Sequence, residues 1–238
     1  AETCADLFCG ESGSTLRFLI PVAAALGIHT TFFGQGRLPQ RPITAYLREL
    51  TKKGITFDYH NTMPFTIDGK LRSGVFELEG DVSSQYVTGL LFALPLLDGD
   101  SEIRMLSKLE SKPYVDLTIA CLRHFGIAVQ ETEQGYAVAG GQQYHACDLT
   151  VEGDYSQAAF FCVANALGSD ITLTNLNPES VQGDKKIVEI VREMCYNREQ
   201  GLPAGFTVDA ADIPDLVPIL AVLATFGTAP SSITGAHR

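Results

Sequence analysis

Hydrophobic and polar positions repeat one pattern along this chain. A short strand-like run ends in a small polar turn with an acid and a serine, and an apolar helix of about three turns follows. A β-rich run comes next, and in three copies an amphipathic helix follows it, two of them closed by a glycine. The four apolar helices are predicted at residues 15–26, 86–97, 158–167 and 216–226.

The remaining elements complete a βαβαββ unit of about 70 residues, of which the chain holds about three and a half copies. The β-rich runs lie at 28–33, 101–105, 171–174 and 231–234, and the amphipathic helices at 42–53, 114–125 and 184–194. Further strands are predicted at 55–59 with 74–78 and at 127–131 with 136–139. The fold class is therefore α/β (α+β), with small sheets that carry two helices on one face.

A domain boundary is predicted after the Gly- and Gln-rich loop 140–145, before a fresh strand at 148–151. The two domains would comprise residues 1–148 and 149–238. One unit alone buries too little core, so we expect several units to pack helix against helix. The chain starts without Met and stops directly after a predicted strand, so we expect a fragment.

Composition narrows the function classes. The net charge of −11 argues against a nucleic-acid partner, and no run approaches the roughly 18 apolar residues of a membrane helix. The six cysteines lack zinc-site spacing, and Cys121 and Cys162 lie within apolar helical patterns. This usage indicates reduced thiols and a cytoplasmic protein.

The start of the first apolar helix has the composition of an anion site. Gly13 and Ser14 leave backbone N–H groups exposed at the positive end of the helix dipole, and Arg17 lies one turn further on. Arg41 precedes Pro42, a residue that suits a helix start. An ordinary serine N-cap with solvated arginines would explain the same residues.

Two later helix starts offer comparable groups. Ser83, Ser84 and Gln85 begin the second apolar helix, where two hydroxyls, an amide and free N–H groups could hold a phosphate. Ser111 and Tyr114 frame Lys112-Pro113 at the next helix start. Plain capping and helix-start turns are the alternative interpretations.

Asp215 lies beside the start of the fourth apolar helix, where the dipole stabilises a carboxylate. It could cap that helix, or accept a proton or hydrogen bond from a substrate hydroxyl. If the repeated units pack symmetrically, all these helix starts converge on one cleft. Such a cleft suits a polyanionic small molecule, despite the acidic total charge.

The motifs G-x-S-G-S-T-x-R, R-x-x-x-R-P, G-D-V-S-S-Q, S-K-P-Y, V-E-G-D-x-S and D-x-P-D occur in this order along the chain. This set resembles the 5-enolpyruvylshikimate-3-phosphate synthase family of enolpyruvyl transferases. The resemblance implies two domains of three βαβαββ units each, an inside-out α/β barrel that is incomplete here. It also implies transfer of the enolpyruvyl group of phosphoenolpyruvate to the 5-hydroxyl of shikimate 3-phosphate, with release of phosphate. That reaction belongs to the shikimate pathway to chorismate and the aromatic amino acids, and needs no cofactor and no catalytic metal.

The resemblance also assigns roles to the residues singled out above. Phosphoenolpyruvate, or the inhibitor glyphosate in its place, should contact Gly13, Ser14, Arg17, Arg41 and Gln85. Shikimate 3-phosphate should contact Ser83, Ser84, Gln85, Ser111, Tyr114 and Asp215. Asp215 should in addition take part in proton transfer at the reacting hydroxyl.

The chain departs from the family pattern at several points. Glu11 stands where the family usually has Asn, and Ser14 where it often has Thr. A carboxylate facing the site would repel phosphoenolpyruvate, so we expect Glu11 to turn away or to pair with a base. The S-K-S and K-E-S-D-R segments of the family are absent, so we expect no transferase activity from the 238 residues alone. The complete protein is expected to be a monomer.

Three other functions stay open at this point. The enolpyruvyl transferase acting on UDP-N-acetylglucosamine shares the fold, although loop 34–41 lacks the reactive cysteine of that enzyme. A non-catalytic fragment that only binds shikimate 3-phosphate would also fit. An RNA-processing enzyme of similar fold is disfavoured because the chain has no basic stripe.

Overall fold

The computed structural model describes residues 4–236, so the outermost ends of the predicted domain ranges lie outside the described part. The chain divides into two compact units. The first unit comprises the residues up to Glu110 together with Thr118–Cys147, and the second comprises Ser111–Leu117 together with the residues from Asp148 onward. The assignment of these units to two enolpyruvyl transferase domains stays a prediction.

The first unit begins with one complete βαβαββ motif. Its elements are β1 (Cys4–Phe8), α1 (Gly13–Leu26), β2 (His29–Phe33), α2 (Thr44–Lys52), β3 (Thr56–Asp58) and β4 (Phe65–Asp68). The sheet order is β1-β2-β4-β3, with β1 and β2 parallel and the other pairs antiparallel. The prediction of 74–78 as the last strand of this motif was wrong. Phe65–Asp68 takes that place because Phe65 and Ile67 bury one face of the strand while β3 supplies a hairpin partner.

A second βαβαββ motif makes up the rest of the first unit, apart from residues 112–117 at the start of its second helix, which belong to the second unit. Its elements are β5 (Val75–Leu78), α3 (Ser84–Ala93), β6 (Ser101–Met105), α4 (Lys112–His124), β7 (Gln130–Thr132) and β8 (Gly135–Val138). The sheet order β5-β6-β8-β7 repeats that of the first motif, so the predicted unit is confirmed twice. Helix α3 changes to a 3-10 turn at Leu94–Leu96, where Pro95 cannot continue the α-helical bonding.

Helices α1 and α3 approach each other closely, and a glycine permits it. A side chain at Gly89 of α3 would overlap both the Tyr46 hydroxyl and the carbonyl oxygen of Arg17. The Tyr46 hydroxyl, fully buried, lies 2.9 Å from the carbonyl oxygen of Arg17 and 3.0 Å from that of Tyr86. This buried contact fixes the starts of α1 and α3 relative to each other.

The second unit contains α5 (Tyr155–Ala166), α6 (Lys186–Glu199), β9 (Thr207–Asp209), α7 (Val217–Ala224) and β10 (Ser232–Thr234). Strands β9 and β10 are parallel neighbours, and the three helices pack their apolar sides around Ile187, Leu216 and Leu220. Helix α6 follows a 3-10 turn, Gly183–Lys185.

Strands predicted at 148–151 and 171–174 are absent from the described residues, so both predictions were wrong. The Gly153 N–H donates to the Asn175 carbonyl at 2.7 Å, and the Asn175 side chain donates to the Val151 carbonyl at 2.9 Å. The Asn175 side chain therefore donates the hydrogen bond that a backbone N–H would donate in a strand ladder. In addition, Asn175 has a φ of 62°, which interrupts the extended backbone.

Across residues 4–236, no helix combines the length and the apolar character that crossing a bilayer requires.

Candidate functional site

Four of the predicted site residues surround one point at the start of α1. A Cβ built on Gly13 would lie 2.8 Å from Nη1 of Arg41, 3.6 Å from Oε1 of Gln85 and 3.7 Å from Nη1 of Arg17. Arg17 Nη1 donates to Gln85 Oε1 at 2.7 Å, which holds the two side chains together. The first unit thus brings together residues that lie on α1, on α3 and in the loop before α2.

The helix start itself supplies further hydrogen-bond donors. Ser12 caps α1, since its hydroxyl accepts from the Thr15 N–H at 3.1 Å, so the capping interpretation holds for this serine. The N–H groups of Gly13 and Ser14, at the first two helical positions, have no intrahelical acceptor. Together with the dipole of α1, they add partial positive charge beside the two arginines.

The charges of Arg17 and Arg41 are not neutralised within the described part of the chain. Neither guanidinium forms an ion pair with a carboxylate among residues 4–236. Arg17 instead lies 4.9 Å from the ring centre of Tyr86 and contacts the Pro42 carbonyl at 3.4 Å. Two guanidinium groups that have no carboxylate partner, beside the N-terminus of a helix, have the chemistry of an anion site.

The Glu11 carboxylate does not form an ion pair with Arg17 or Arg41. Its carboxylate lies against the backbone of Gly36, where an added Cβ would come within 2.6 Å of Oε2. Among the residues described, Glu11 pairs with no base, so the pairing alternative considered for it was wrong.

The start of α3 places the second group of predicted residues. Ser83 is its N-cap, and the hydroxyl accepts from the Gln85 N–H at 3.3 Å. Ser84 is the first helical residue and is buried. Gln85 therefore connects this helix start to the arginine pair at α1 through its side chain.

The second unit gathers Ser111, Tyr114 and Asp215. Ser111, buried and at φ 57°, donates its N–H to the Ala211 carbonyl at 3.2 Å, which links the start of α4 to the segment before α7. Asp215 is exposed and lies in the 3-10 turn Pro214–Leu216 that leads into α7. The charge of Asp215 and its hydrogen bonding contribute to raising the pKa of the Tyr114 phenol.

Sequence reasoning missed the role of Asp184 in this cluster. The Tyr114 hydroxyl donates to Asp184 Oδ2 at 3.0 Å, and the Asp184 side chain is buried. Burial, followed by the nearby charges of Asp184 and Asp215, raises the pKa of Tyr114. Burial likewise raises the pKa of Asp184 to about 6, against the opposing effect of the Tyr114 hydrogen bond.

A signal for Asp184 was present in the sequence. Gln182-Gly183-Asp184 is a small turn with an acid before a helix, the same theme that drew attention to Asp215. The hydrophobic pattern predicts this residue only as the first position of an amphipathic helix. Its burial depends on Tyr114, 70 positions away along the chain, which no local pattern reports.

Comparison with known proteins gives a consistent family. Residues 1–238 match the family model of EPSP synthase (3-phosphoshikimate 1-carboxyvinyltransferase). A curated protein named 3-phosphoshikimate 1-carboxyvinyltransferase from Clostridium novyi is 44% identical over 97% of this chain. One of the same name from Clostridium kluyveri is 44% identical over 98% of it. The chain spans 55% and 57% of the lengths of these two relatives.

The fold is similar to that of a solved EPSP synthase structure from Acinetobacter baumannii. The TM-score is 0.66 at 24% identity, and the likeness covers 80% of this chain and 42% of that one. At this identity the likeness supports the fold alone, and the predicted fold class is confirmed by it.

Proposed function

Because the chain belongs to the EPSP synthase family, we propose that it carries part of an enolpyruvyl transferase. The enzyme transfers the enolpyruvyl group of phosphoenolpyruvate to the 5-hydroxyl of shikimate 3-phosphate. The products are 5-enolpyruvylshikimate 3-phosphate and phosphate.

The observation that carries the proposal is the pair of unneutralised guanidinium groups around Gly13. Phosphoenolpyruvate carries a phosphate and a carboxylate, and planar guanidinium groups bind both through paired N–H donors. The 2.7 Å bond to Gln85 keeps the Arg17 fork in place before any ligand arrives. Such preorganised charge costs little to reorganise when negative charge develops on the reacting phosphate.

Each substrate is assigned a proposed set of residues, and Gln85 belongs to both. For phosphoenolpyruvate we propose Gly13, Ser14, Arg17, Arg41 and Gln85. For shikimate 3-phosphate we propose Ser83, Ser84, Gln85, Ser111, Tyr114 and Asp215, with the serines at its phosphate. Asp215 is the proposed catalytic residue, because an exposed carboxylate can accept the proton of the reacting hydroxyl.

The proposed chemistry balances in two steps. The 5-hydroxyl oxygen bonds to C2 of phosphoenolpyruvate, its proton passes to a carboxylate, and the former double bond takes up a proton at C3. The resulting tetrahedral intermediate then loses phosphate from C2, and a proton leaves C3 to restore the double bond. Positioning of the two substrates supplies much of the rate.

Calorimetric titration tests the proposal directly. The 238-residue chain is titrated with shikimate 3-phosphate, and then with phosphoenolpyruvate in its presence. We expect saturable binding of both, with Arg17→Gln weakening phosphoenolpyruvate by about tenfold or more. Arg123→Gln, at an exposed arginine near the end of α4, is the matched control and should change neither affinity.

Turnover is measured as phosphate release by the protein expressed from its whole gene. Release that depends on shikimate 3-phosphate supports the proposal, whereas release that depends on UDP-N-acetylglucosamine would replace it with the related enolpyruvyl transfer. Failure of both preparations to bind shikimate 3-phosphate would refute the proposal.

We propose a cytoplasmic location and a monomeric state as well. Among residues 4–236, Cys9, Cys121, Cys147, Cys162 and Cys195 form no disulfide, as in a reducing compartment. Light scattering of the whole gene product that returned a dimer mass would overturn the monomer proposal.

A further inference from the structure

Asp184 is a buried carboxylate with one bonded and one unbonded oxygen. Its side chain is 3% exposed, and Oδ2 accepts the Tyr114 phenolic proton at 3.0 Å. Oδ1 is buried without a hydrogen-bond partner among the described residues. A carboxylate held this way is costly to bury, so its position calls for an explanation other than stability.

The titratable groups that act on Asp184 come from three neighbouring elements. They are Tyr114 on α4, Asp215 before α7 and Asp154 at the start of α5. The adjacent Lys185 donates instead to the Pro178 carbonyl at 2.9 Å. Within residues 4–236, no group of three or more acidic, histidine or cysteine side chains could hold a metal ion.

The Tyr114 phenol has a single proton, and two carboxylates act on it. If the proton points to Asp184, the Asp215 carboxylate keeps its lone pairs for a substrate hydroxyl. If the proton points to Asp215, that carboxylate is occupied and is a weaker base. The 3.0 Å separation of the Tyr114 hydroxyl and Asp184 Oδ2 is the geometry that the first arrangement requires.

We propose that Asp184 is a positioning residue: by holding the Tyr114 proton, it leaves Asp215 free to accept the proton of the reacting hydroxyl. This inference rests on the proposed function, because it assigns Asp215 the role of proton acceptor. Asp184 acts only through Tyr114 and touches no reacting atom.

Protonation of Asp184 reverses the arrangement. The neutral acid no longer attracts the phenolic proton, which can then turn to Asp215. Since the pKa of Asp184 is raised to about 6, this change falls between pH 5 and 7. Asp184→Asn imitates the neutral acid at every pH, because an amide offers one donor group and one acceptor and carries no charge.

The first test compares kcat of wild type and Asp184→Asn across pH, in the protein expressed from its whole gene. Substrate phosphates titrate equally in both proteins, so the ratio of the two rates isolates Asp184. We expect the wild-type to variant ratio to rise from about three at pH 5.5 to about ten at pH 8, the size of one hydrogen bond to a charged group.

The effect of Asp184→Asn is then measured again in a protein that also carries Tyr114→Phe. In that variant the phenolic proton is gone, so adding Asp184→Asn should leave the rate ratio near one at every pH. A merely structural Asp184 would lower the rate by the same factor at each pH, with or without Tyr114. A rate ratio that stays well above one in the Tyr114→Phe background, or that does not change with pH in the wild-type background, overturns the proposal.

The second test needs no substrate. The 238-residue chain contains eight tyrosines, and [13Cζ]tyrosine labelling reports each phenol, with Tyr114 assigned by its loss in Tyr114→Phe. We expect a Tyr114 titration with a midpoint near pH 6 that is kept in the exposed-site control Asp170→Asn and lost in Asp184→Asn. A Tyr114 signal that is flat, or that titrates equally in Asp184→Asn, overturns the coupling.

The rate measurements and the tyrosine spectra distinguish failure of the proposed function from failure of the Asp184 proposal. If no preparation binds shikimate 3-phosphate or turns over, the proposed function fails and the catalytic part of this assignment fails with it. The labelled spectra still decide, by themselves, whether Asp184 controls the Tyr114 proton.

Discussion

Replacing Asp184 by Asn should stabilise the protein above neutral pH. The wild-type carboxylate is buried and its pKa is raised from 3.8 to about 6 by burial first, and by the charges of Asp215 and Asp154 after it. A carboxyl whose pKa is raised by folding stabilises the folded state when protonated. That contribution is lost as pH rises through the interval between the two pKa values.

The magnitude follows from the shift. Two pKa values of 3.8 and about 6 correspond to about 3 kcal/mol of destabilisation at pH 8, and to about half of that at pH 5. The neutral amide escapes this cost but places an NH2 group where Oδ1 is buried without a partner, which costs about 1 kcal/mol. We therefore expect Asp184→Asn to be more stable than wild type by about 1–2 kcal/mol at pH 8.

Urea unfolding at pH 5 and pH 8, followed by circular dichroism, measures the effect. The difference in unfolding free energy between variant and wild type should grow in the variant's favour by about 1.4 kcal/mol from pH 5 to pH 8. The contributions of other carboxylates cancel in this difference. Asp170→Asn, at an exposed position of the same unit, is the control and should show no such growth.

A variant that is equally destabilised at both pH values would refute the reasoning. That result would mean that Asp184 is solvated, or that its hydrogen bonds already compensate its charge. A gain in stability accompanied by the loss of rate expected above would instead indicate a residue kept for function at a cost in stability.

Three further predictions concern the first unit. Gly13→Ala places a methyl group 2.8 Å from the flexible end of Arg41, so the melting temperature should hardly change while calorimetric affinity for phosphoenolpyruvate falls about tenfold; unchanged affinity would contradict the anion site. In Gly89→Ala, the added methyl group would overlap the backbone of α1, so the free energy of unfolding measured in urea should fall by about 2 kcal/mol or more. An unchanged free energy of unfolding would show that the two helices can separate. Glu49 is 1% exposed, and burial alone would raise its pKa. Hydrogen bonds from the Glu77 N–H, from Lys52 at 2.9 Å and from Arg48 outweigh burial, so the pKa of Glu49 is lowered. Glu49→Gln should therefore cost about 2–3 kcal/mol at pH 7 and less at pH 4, and a pH-independent cost would contradict this.

Local patterns were enough to predict the helices and most strands of the first unit. The strand Ser101–Met105 was predicted with its observed bounds, and α1 differs from its predicted range only at its start. Such elements depend on periodicity and turn chemistry within a few residues. The same local signals identified the helix starts at Gly13, Ser83 and Asp215, which the structure confirms as helix or turn starts.

Tertiary structure decided what local patterns left open. Phe65–Asp68 became a strand because β3 and β2 supplied partners, whereas residues 148–151 and 171–174, with β-like sequences, formed no ladder in the described structure. Strand pairing depends on a partner that sequence periodicity does not name.

The sequence by itself determined the family, the repeated βαβαββ unit and the residue types at each helix start. Only the folded chain brought Arg17 to Gln85, 68 positions away, and buried Asp184 against Tyr114, 70 positions away. Periodicity is a property of neighbours along the chain, so it can be read locally. The charge state of a side chain depends on burial and on groups from other elements, so it is settled only when those elements pack.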